Sequence, residues 1–123
     1  SEALMEAASF QSTEMARRDT LGHGVAGALP ARVERFGYRW STTAENIGRN
    51  YPTYAAMMDG WIASAGHRRN LLNPRVTQIG FAARRRAGGG PIYWTQIFAA
   101  PSQRAPTMPV SAAPRWGAPL RFP

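Results

Sequence analysis

The segment GWIASAGHRRNLLNP occupies residues 60–74 and carries much of the information about the fold. Trp61 continues an apolar helical spacing that begins at Tyr54, and Thr53 stands where a helix N-cap is expected. The pattern predicts a helix that ends inside the segment. One or two further helical turns are expected to carry His67 and to stop at the closing Asn-Pro pair, because the residue before proline disfavours helix.

The chain before this segment predicts two helices and an extended stretch. Core-facing residues recur at helical spacing over residues 1–20: Leu4, Ala8, Gln11 and Met15. Glycines on both sides of His23 end this helix, so His23 is expected in a loop or a last turn. Pro30 begins a short second helix. Residues 38–47 are then expected to be extended and to carry Glu45.

The chain after the segment predicts a hairpin and a tail. Residues 76–83 and 92–99 are β-rich and alternating, and RRRAGGGP separates them at residues 84–91. This pattern predicts an antiparallel hairpin with a flexible basic tip. Because six prolines fall within residues 101–123, we predict one domain over residues 1–100 followed by a Pro-rich C-terminal tail.

The net charge of the chain limits which classes of binding partner are expected. The 123 residues have a formal net charge of +8, and all fifteen basic residues are arginine. Arginine used everywhere in place of lysine is typical of a GC-rich genome, so the charge predicts general attraction to anionic surfaces rather than one partner. No RNP-type, zinc-finger or helix-turn-helix signature is present, and nucleic acid is therefore not the expected partner.

Other bulk features exclude some chemistry. The absence of cysteine excludes disulfides and thiolate catalysis. No apolar run approaches the roughly 18–20 residues of a membrane span. No signal peptide is found at Ser1, which predicts either a cytoplasmic protein or an already processed form. The length suits one domain, which we expect to be a monomer.

The candidate site residues are the only two histidines, His23 and His67, and the carboxylate of Glu45. Both histidines adjoin glycine at element boundaries, where functional residues tend to lie. The alternative is that each histidine only satisfies carbonyl groups at a helix end. Glu45 has small and apolar neighbours and needs a partner if buried, for which an imidazole is suitable. The three residues are candidate ligands for zinc or another divalent metal, although their spacing matches no local zinc motif.

Structural roles are expected for several other polar or aromatic residues. Asn46 and Asn70 are expected to bridge backbone groups, as asparagine commonly does in loops. Trp61 is expected in the core. The arginine run at residues 84–86 is expected to form a solvated hairpin tip, with binding to an anionic surface as the alternative.

Five motifs occur in order along the chain: MARRDTLGH at residues 15–23, AENIG at 44–48, the segment at 60–74, IGF at 79–81 and YWTQIF at 93–98. Together they resemble the CAP superfamily, or SCP domain, of cysteine-rich secretory proteins, antigen 5 and pathogenesis-related proteins. The likeness is greatest to the compact bacterial branch with its W-x-x-S-x-G-H-R-x-N-[IL]-L segment. It covers residues 4–99.

The resemblance implies an α+β fold, an α-β-α sandwich with a small antiparallel sheet, and an extracellular, periplasmic or cell-surface location. It assigns His23 as the first family histidine and Glu45 as the glutamate of the A-E-N-I motif. Ser64 stands where animal and plant members have a second glutamate, and Tyr93 where they have a second histidine. His67 looks like the bacterial substitute, so the implied cleft contains all five of these residues.

The resemblance also points to a difference at the amino terminus. Family members usually begin with another helix, rich in an L-N-x-x-R pattern, before the part that aligns with Leu4. We expect this chain to lack that helix, either because it is a trimmed form or because the back wall of the site is built differently.

The resemblance favours a non-catalytic binding module for a small molecule, lipid, glycan or divalent metal. The second hypothesis is a hydrolase of cell-wall or peptide substrates, in which Glu45 or His67 acts as general base with Ser64 nearby. No nucleophile elbow or Asp partner supports a Ser-His-Asp arrangement. A third hypothesis is purely structural, with a His-Glu hydrogen bond that holds the helix ends to the loop around Asn46.

Overall fold

A computed structural model describes residues 1–103 of the chain. These residues contain four helices and three strands: α1 Glu2–Arg18, α2 Leu29–Arg35, β1 Trp40–Arg49, α3 Tyr54–Ala63, α4 Ala65–Leu71, β2 Gln78–Arg85 and β3 Ile92–Pro101. Nearly all of the predicted Pro-rich tail, from residue 104 onward, lies outside the described residues. None of the four helices is long and apolar enough to cross a membrane.

The three strands form one antiparallel sheet in the order β1-β3-β2. β3 is therefore central, and residues 93–100 of it are all buried. The hairpin of β2 and β3 confirms the prediction, although β2 begins two residues later than the alternating pattern indicated. The sheet leaves β1 as an edge strand, and the candidate site lies beside this strand.

Helices cover both faces of the sheet, which confirms the predicted α-β-α sandwich. On one face, Leu4 and Ala8 of α1 pack against Ile97 of β3. On the other face, Trp61 of α3 packs against Trp94. The alternation of Trp94 and Ile97 on β3 between these two clusters follows from the two-residue period of a strand.

Local sequence signals act where they were expected. The side chain of Thr53 accepts a hydrogen bond from the backbone N–H of Ala56 at 3.1 Å, as the N-cap of α3. The predicted core positions of α1 are buried, and Trp61 is 1% exposed. Ile62 belongs to the same apolar run but is 48% exposed, because successive helix positions are about 100° apart and Trp61 already faces the sheet.

Candidate functional site

Glu45 lies on β1 with its side chain only 2% exposed. Nδ1 of His23 is 2.8 Å from Oε1 of Glu45, and Nη1 of Arg32 donates a hydrogen bond to Oε2. A buried carboxylate requires partners of this kind. The contact predicted between a histidine and Glu45 is therefore confirmed, with an arginine as an additional partner.

Arg32 connects the carboxylate to the loop that carries His23. Its side chain is fully buried on α2, and Nη2 donates hydrogen bonds to the carbonyl oxygens of His23 at 2.8 Å and Gly27 at 3.1 Å. His23 itself lies in this loop, as predicted, with a side chain that is 60% exposed. Arg32 therefore fixes the backbone of His23, and Glu45 orients its ring.

A second network lies around Asn46, the next residue on β1. Nδ2 of Asn46 donates hydrogen bonds to the carbonyl oxygen of His67 and to Oε1 of Gln96, both at 3.2 Å. Asn70 donates from Nδ2 to Oδ1 of Asn46 at 2.8 Å and to the carbonyl oxygen of Glu45 at 3.2 Å. Both asparagines therefore hold α4 against β1, and the bridging role predicted for them is confirmed.

The two segments that carry the histidines contact β1 from opposite faces of the sheet. Glu45 pairs with Ile97, which packs in the α1 cluster, whereas Asn46 pairs with Gln96, whose Nε2 approaches Sδ of Met58 on α3 at 3.5 Å. Adjacent strand residues point to opposite faces. The ring of His23 therefore contacts the side chain of Glu45 on one face. On the other face, the backbone carbonyl oxygen of His67 accepts a hydrogen bond from the side chain of Asn46.

The metal site predicted from His23, Glu45 and His67 remains a prediction. Within residues 1–103, no three His, Cys, Asp or Glu side chains are grouped so that they could hold a metal ion. Both oxygens of Glu45 are already hydrogen-bonded, and one of these partners is the guanidinium of Arg32, whose positive charge opposes a divalent cation. Glu45 thus contacts the loop that carries His23, and Asn46 contacts the helix that carries His67.

A cavity of about 290 Å³ lies beside β1, and we call it the β1 cavity. His67 and Ser64 belong to its lining, whereas His23, Glu45 and Tyr93 do not. The lining also contains other residues from β1, α3 and the adjoining loops: Leu21, Ile47, Gly48, Arg49, Tyr51, Met57, Gly60 and Trp61. Nδ1 of His67 lies 2.9 Å from Oγ of Ser64, one helical turn away. The five residues of the implied cleft are thus divided between the β1 cavity and its surroundings.

Tyr93 is fully buried and contacts two residues that line the β1 cavity, Ile47 and Arg49. Its hydroxyl donates a hydrogen bond to Asp19 and accepts one from Nε of Arg49 at 3.0 Å. Burial raises the pKa of Tyr93, and the hydrogen bond to Asp19 raises it further, so the hydroxyl remains a donor at neutral pH. The pKa of Asp19 is lowered by this hydrogen bond and by the charges of Arg86 and Arg49.

Two residues of the site, Arg32 and Arg49, were not predicted from the sequence. Arg32 falls on the buried side of α2 beside Val33, at helical spacing from Leu29 and Phe36, where a charged residue is unusual. That position was a usable signal for a buried partner of Glu45. Arg49 shares a face of β1 with Glu45, four residues away, and strand alternation would have placed it near the site.

Comparison with known proteins gives the evolutionary context of this geometry. The family model described as the Cysteine-rich secretory protein family, CAP, matches residues 1–98. The uncharacterised protein YkwD of Bacillus subtilis strain 168 is 32% identical over 99 residues, which are 79% of this chain and 37% of that protein. The chain therefore spans little more than a third of this curated relative.

Solved structures of bacterial proteins share the fold. An extracellular protein with an SCP domain from Bacillus anthracis strain Ames has a TM-score of 0.71 at 27% identity, over 79% of this chain and 31% of its own. An outer surface protein of Borrelia burgdorferi has a TM-score of 0.74 over 83% of this chain and 76% of its own. Its identity of 16% supports the fold alone.

Proposed function

Since the chain belongs to the cysteine-rich secretory protein (CAP) family, we propose that it is an exported, non-catalytic binding domain whose β1 cavity takes a small amphipathic ligand with a carboxylate group. Export is supported by the similar SCP-domain structure from Bacillus anthracis, which is that of an extracellular protein. The observation that carries the proposal is the composition of the β1 cavity, which combines an apolar wall with cationic and hydroxyl side chains and contains no acidic residue.

The polar side of the β1 cavity suits an anionic group. Arg49 is held by Tyr93, and its Nη2 lies 3.7 Å from Asp19, which leaves further guanidinium donors available to a ligand. His67 uses Nδ1 for Ser64. Its Nε2 makes no hydrogen bond within residues 1–103 and is available on the same ring. Charge-assisted hydrogen bonds of this type are stronger than neutral ones, so a carboxylate is the preferred group.

The apolar side limits the size and the mode of binding. Trp61 and Met57 are nearly fully buried and form an apolar wall, and a volume of about 290 Å³ is at the lower end for ligand pockets. The outer edge of β1 is partly covered, since Nε1 of Trp61 donates to the carbonyl oxygen of Ile47 and Asn70 donates to that of Glu45. A ligand would therefore bind through side chains rather than as an added strand.

Calorimetric titration with octanoate and with N-acetylmuramic acid tests the proposal, with octanol and N-acetylglucosamine as the matched neutral probes. We expect the wild-type protein to bind a carboxylate probe more tightly than its neutral partner. Arg49→Gln should weaken that binding about tenfold, because a hydrogen bond to a charged group is lost. Quenching of tryptophan fluorescence gives a second readout, because Trp61 lines the β1 cavity.

Arg69→Gln is the matched control, because Arg69 is an exposed arginine of α4 that does not line the β1 cavity. It makes the same change in net charge and should leave the affinity within about twofold of wild type. The proposal is wrong if the wild type binds none of the four probes, or if both substitutions weaken binding equally.

A hydrolase is the second candidate, and the contact between His23 and Glu45 favours it. An imidazole with Nδ1 bound to a buried carboxylate and an exposed ring resembles the oriented base of hydrolytic enzymes. Nε2 of His23 would take a proton from water as the oxygen attacks a carbonyl group, and would return it to the leaving group. Glu45 is too buried and too fully hydrogen-bonded to act on water itself, so the base is His23 rather than Glu45.

Peptidoglycan, peptide and ester substrates distinguish this candidate from simple binding. If the protein is a hydrolase, His23→Ala should reduce turnover about 100-fold or more, whereas His67→Ala should retain most of it. Turnover can be followed by release of labelled product. Identical traces for the wild-type protein and His23→Ala would exclude the hydrolase and leave the binding proposal untouched.

A further inference from the structure

A second concave site lies between the C-terminal half of α1 and the β2–β3 hairpin. It has a volume of about 380 Å³ and is lined by four arginines, Arg17, Arg84, Arg85 and Arg86, with Thr13 and two alanines. We call it the arginine pocket. It shares no lining residue with the β1 cavity, so whatever occupies it is independent of the proposed function.

Two of the four arginines are held by backbone oxygens. Arg86 donates from Nη1 to the carbonyl oxygens of Ala16 at 2.7 Å and Arg17 at 3.0 Å, at the C-terminal end of α1. Arg85 donates from Nη1 to the carbonyl oxygen of Gly90 at 3.0 Å. The contacts of Arg86 hold the hairpin against α1, and the contact of Arg85 lies within the hairpin.

Arg84 is different, because its guanidinium makes no hydrogen bond or ion pair with any of residues 1–103. It is exposed at the end of β2, on the same face as Ala82, whose carbonyl oxygen contacts Ser12 of α1. None of its five N–H donors is used by the described residues, and Arg84 belongs to the lining of the arginine pocket. In the part of the chain that the structure describes, Arg84 thus presents a guanidinium without a partner beside three other arginines.

The charge around the arginine pocket is only partly balanced by nearby carboxylates, which interact with Arg17 and Arg86 rather than with Arg84 and Arg85. Glu14 is bound by Arg17 and Arg18, and its pKa is lowered by the hydrogen bond from Arg17. Asp19 is bound by Tyr93 and lies near Arg49. Since both acids are already engaged by neighbours other than Arg84 and Arg85, this end of the domain has a positive potential that attracts anions.

We propose that the arginine pocket binds phosphate groups, in the form of a soluble phosphate chain. Guanidinium forks match the oxygens of phosphate, and the hydroxyl of Thr13 adds a donor in the lining. The hairpin tip consists of Ala87 and glycines, so it offers no large apolar side chain for insertion into a bilayer. A phosphate chain in solution is therefore favoured over the headgroups of a membrane, which present the same chemistry.

Fluorescence anisotropy with labelled linear polyphosphate tests this proposal on the full chain. The wild-type protein should bind, and the affinity should fall steeply with added salt, as expected when cations displace counterions from a polyanion. Arg84→Gln with Arg85→Gln should weaken binding about tenfold or more and flatten the salt dependence. Both side chains are exposed, so folding should be unaffected and can be checked by thermal unfolding.

Arg69→Gln with Arg75→Gln is the control, because it removes the same charge from exposed arginines away from the arginine pocket. Arg75 precedes β2 and Arg84 lies near its end, about 25 Å apart along the strand. Equal weakening by the two double variants, or no binding by the wild type, would overturn the proposal. Sedimentation with phosphatidylglycerol vesicles is the second arm: vesicle binding lost only in the first variant would support the phosphate site and identify a lipid headgroup as the source.

Discussion

Replacement of Arg32 by methionine should lower the free energy of unfolding by about 3–5 kcal/mol, the usual effect of breaking one partner from a buried ion pair. Glu45 would remain buried with only His23 beside it, and the carbonyl oxygens of His23 and Gly27 would lose their donor. Nε of Arg32 is buried without a hydrogen-bond partner among residues 1–103. Its removal relieves a cost of about 1–3 kcal/mol at most, which offsets part of the loss in stability. The loss should dominate in urea unfolding followed by tryptophan fluorescence.

Arg35→Met is the matched control on the same helix. Arg35 is exposed and stacks over the ring of Phe10 at 4.6 Å, so its loss should be worth about 0.5–1 kcal/mol. Combining Arg32→Met with Glu45→Met removes both charges, and this double variant should be more stable than Arg32→Met alone. A similar small loss for the two single arginine variants would show that the Arg32 to Glu45 pair does not stabilise the fold.

The elements of the fold were predictable because each has a local cause. The Thr53 side chain caps α3, and periodic apolar residues bury the correct side of α1. The strand bounds were less certain, since β2 extends into the arginine run where exposed charged residues hide the alternating pattern. Local interactions thus determine which elements form, whereas pairing with the rest of the sheet determines where each strand begins and ends.

The candidate site was predictable only in part, because it depends on which face each side chain takes. The carboxylate of Glu45 stood out as a charge among apolar neighbours, and its contact with His23 follows from the need for a partner. The placement of His67 beside this pair does not follow from the sequence in the same way. That placement depends on the register of β1, and no single motif contains this information. The register directs Asn46, rather than Glu45, toward α4.

Gly80→Ala should be the most destabilising of the glycine substitutions that the sheet offers, with a loss of about 3 kcal/mol. A Cβ at Gly80 would lie 2.2 Å from both the carbonyl carbon and the carbonyl oxygen of Leu4, and 2.7 Å from its Cβ. The first two are backbone atoms of α1, so relief requires the helix to move away from β2. Because Leu4 and Ile97 share the core cluster on this face, such a movement also opens the packing around both residues.

Two other glycines provide graded comparisons for the same measurement by thermal or urea unfolding. A Cβ at Gly48 would meet Sδ of Met57 at 2.2 Å, but this is the flexible end of a side chain and can turn aside, so Gly48→Ala should lose only about 1 kcal/mol. Gly66 has open space around it in α4, and alanine should stabilise that helix by about 0.5–1 kcal/mol. If Gly80→Ala were as stable as Gly48→Ala, then α1 would not be held as closely to β2 as the distances to Leu4 require.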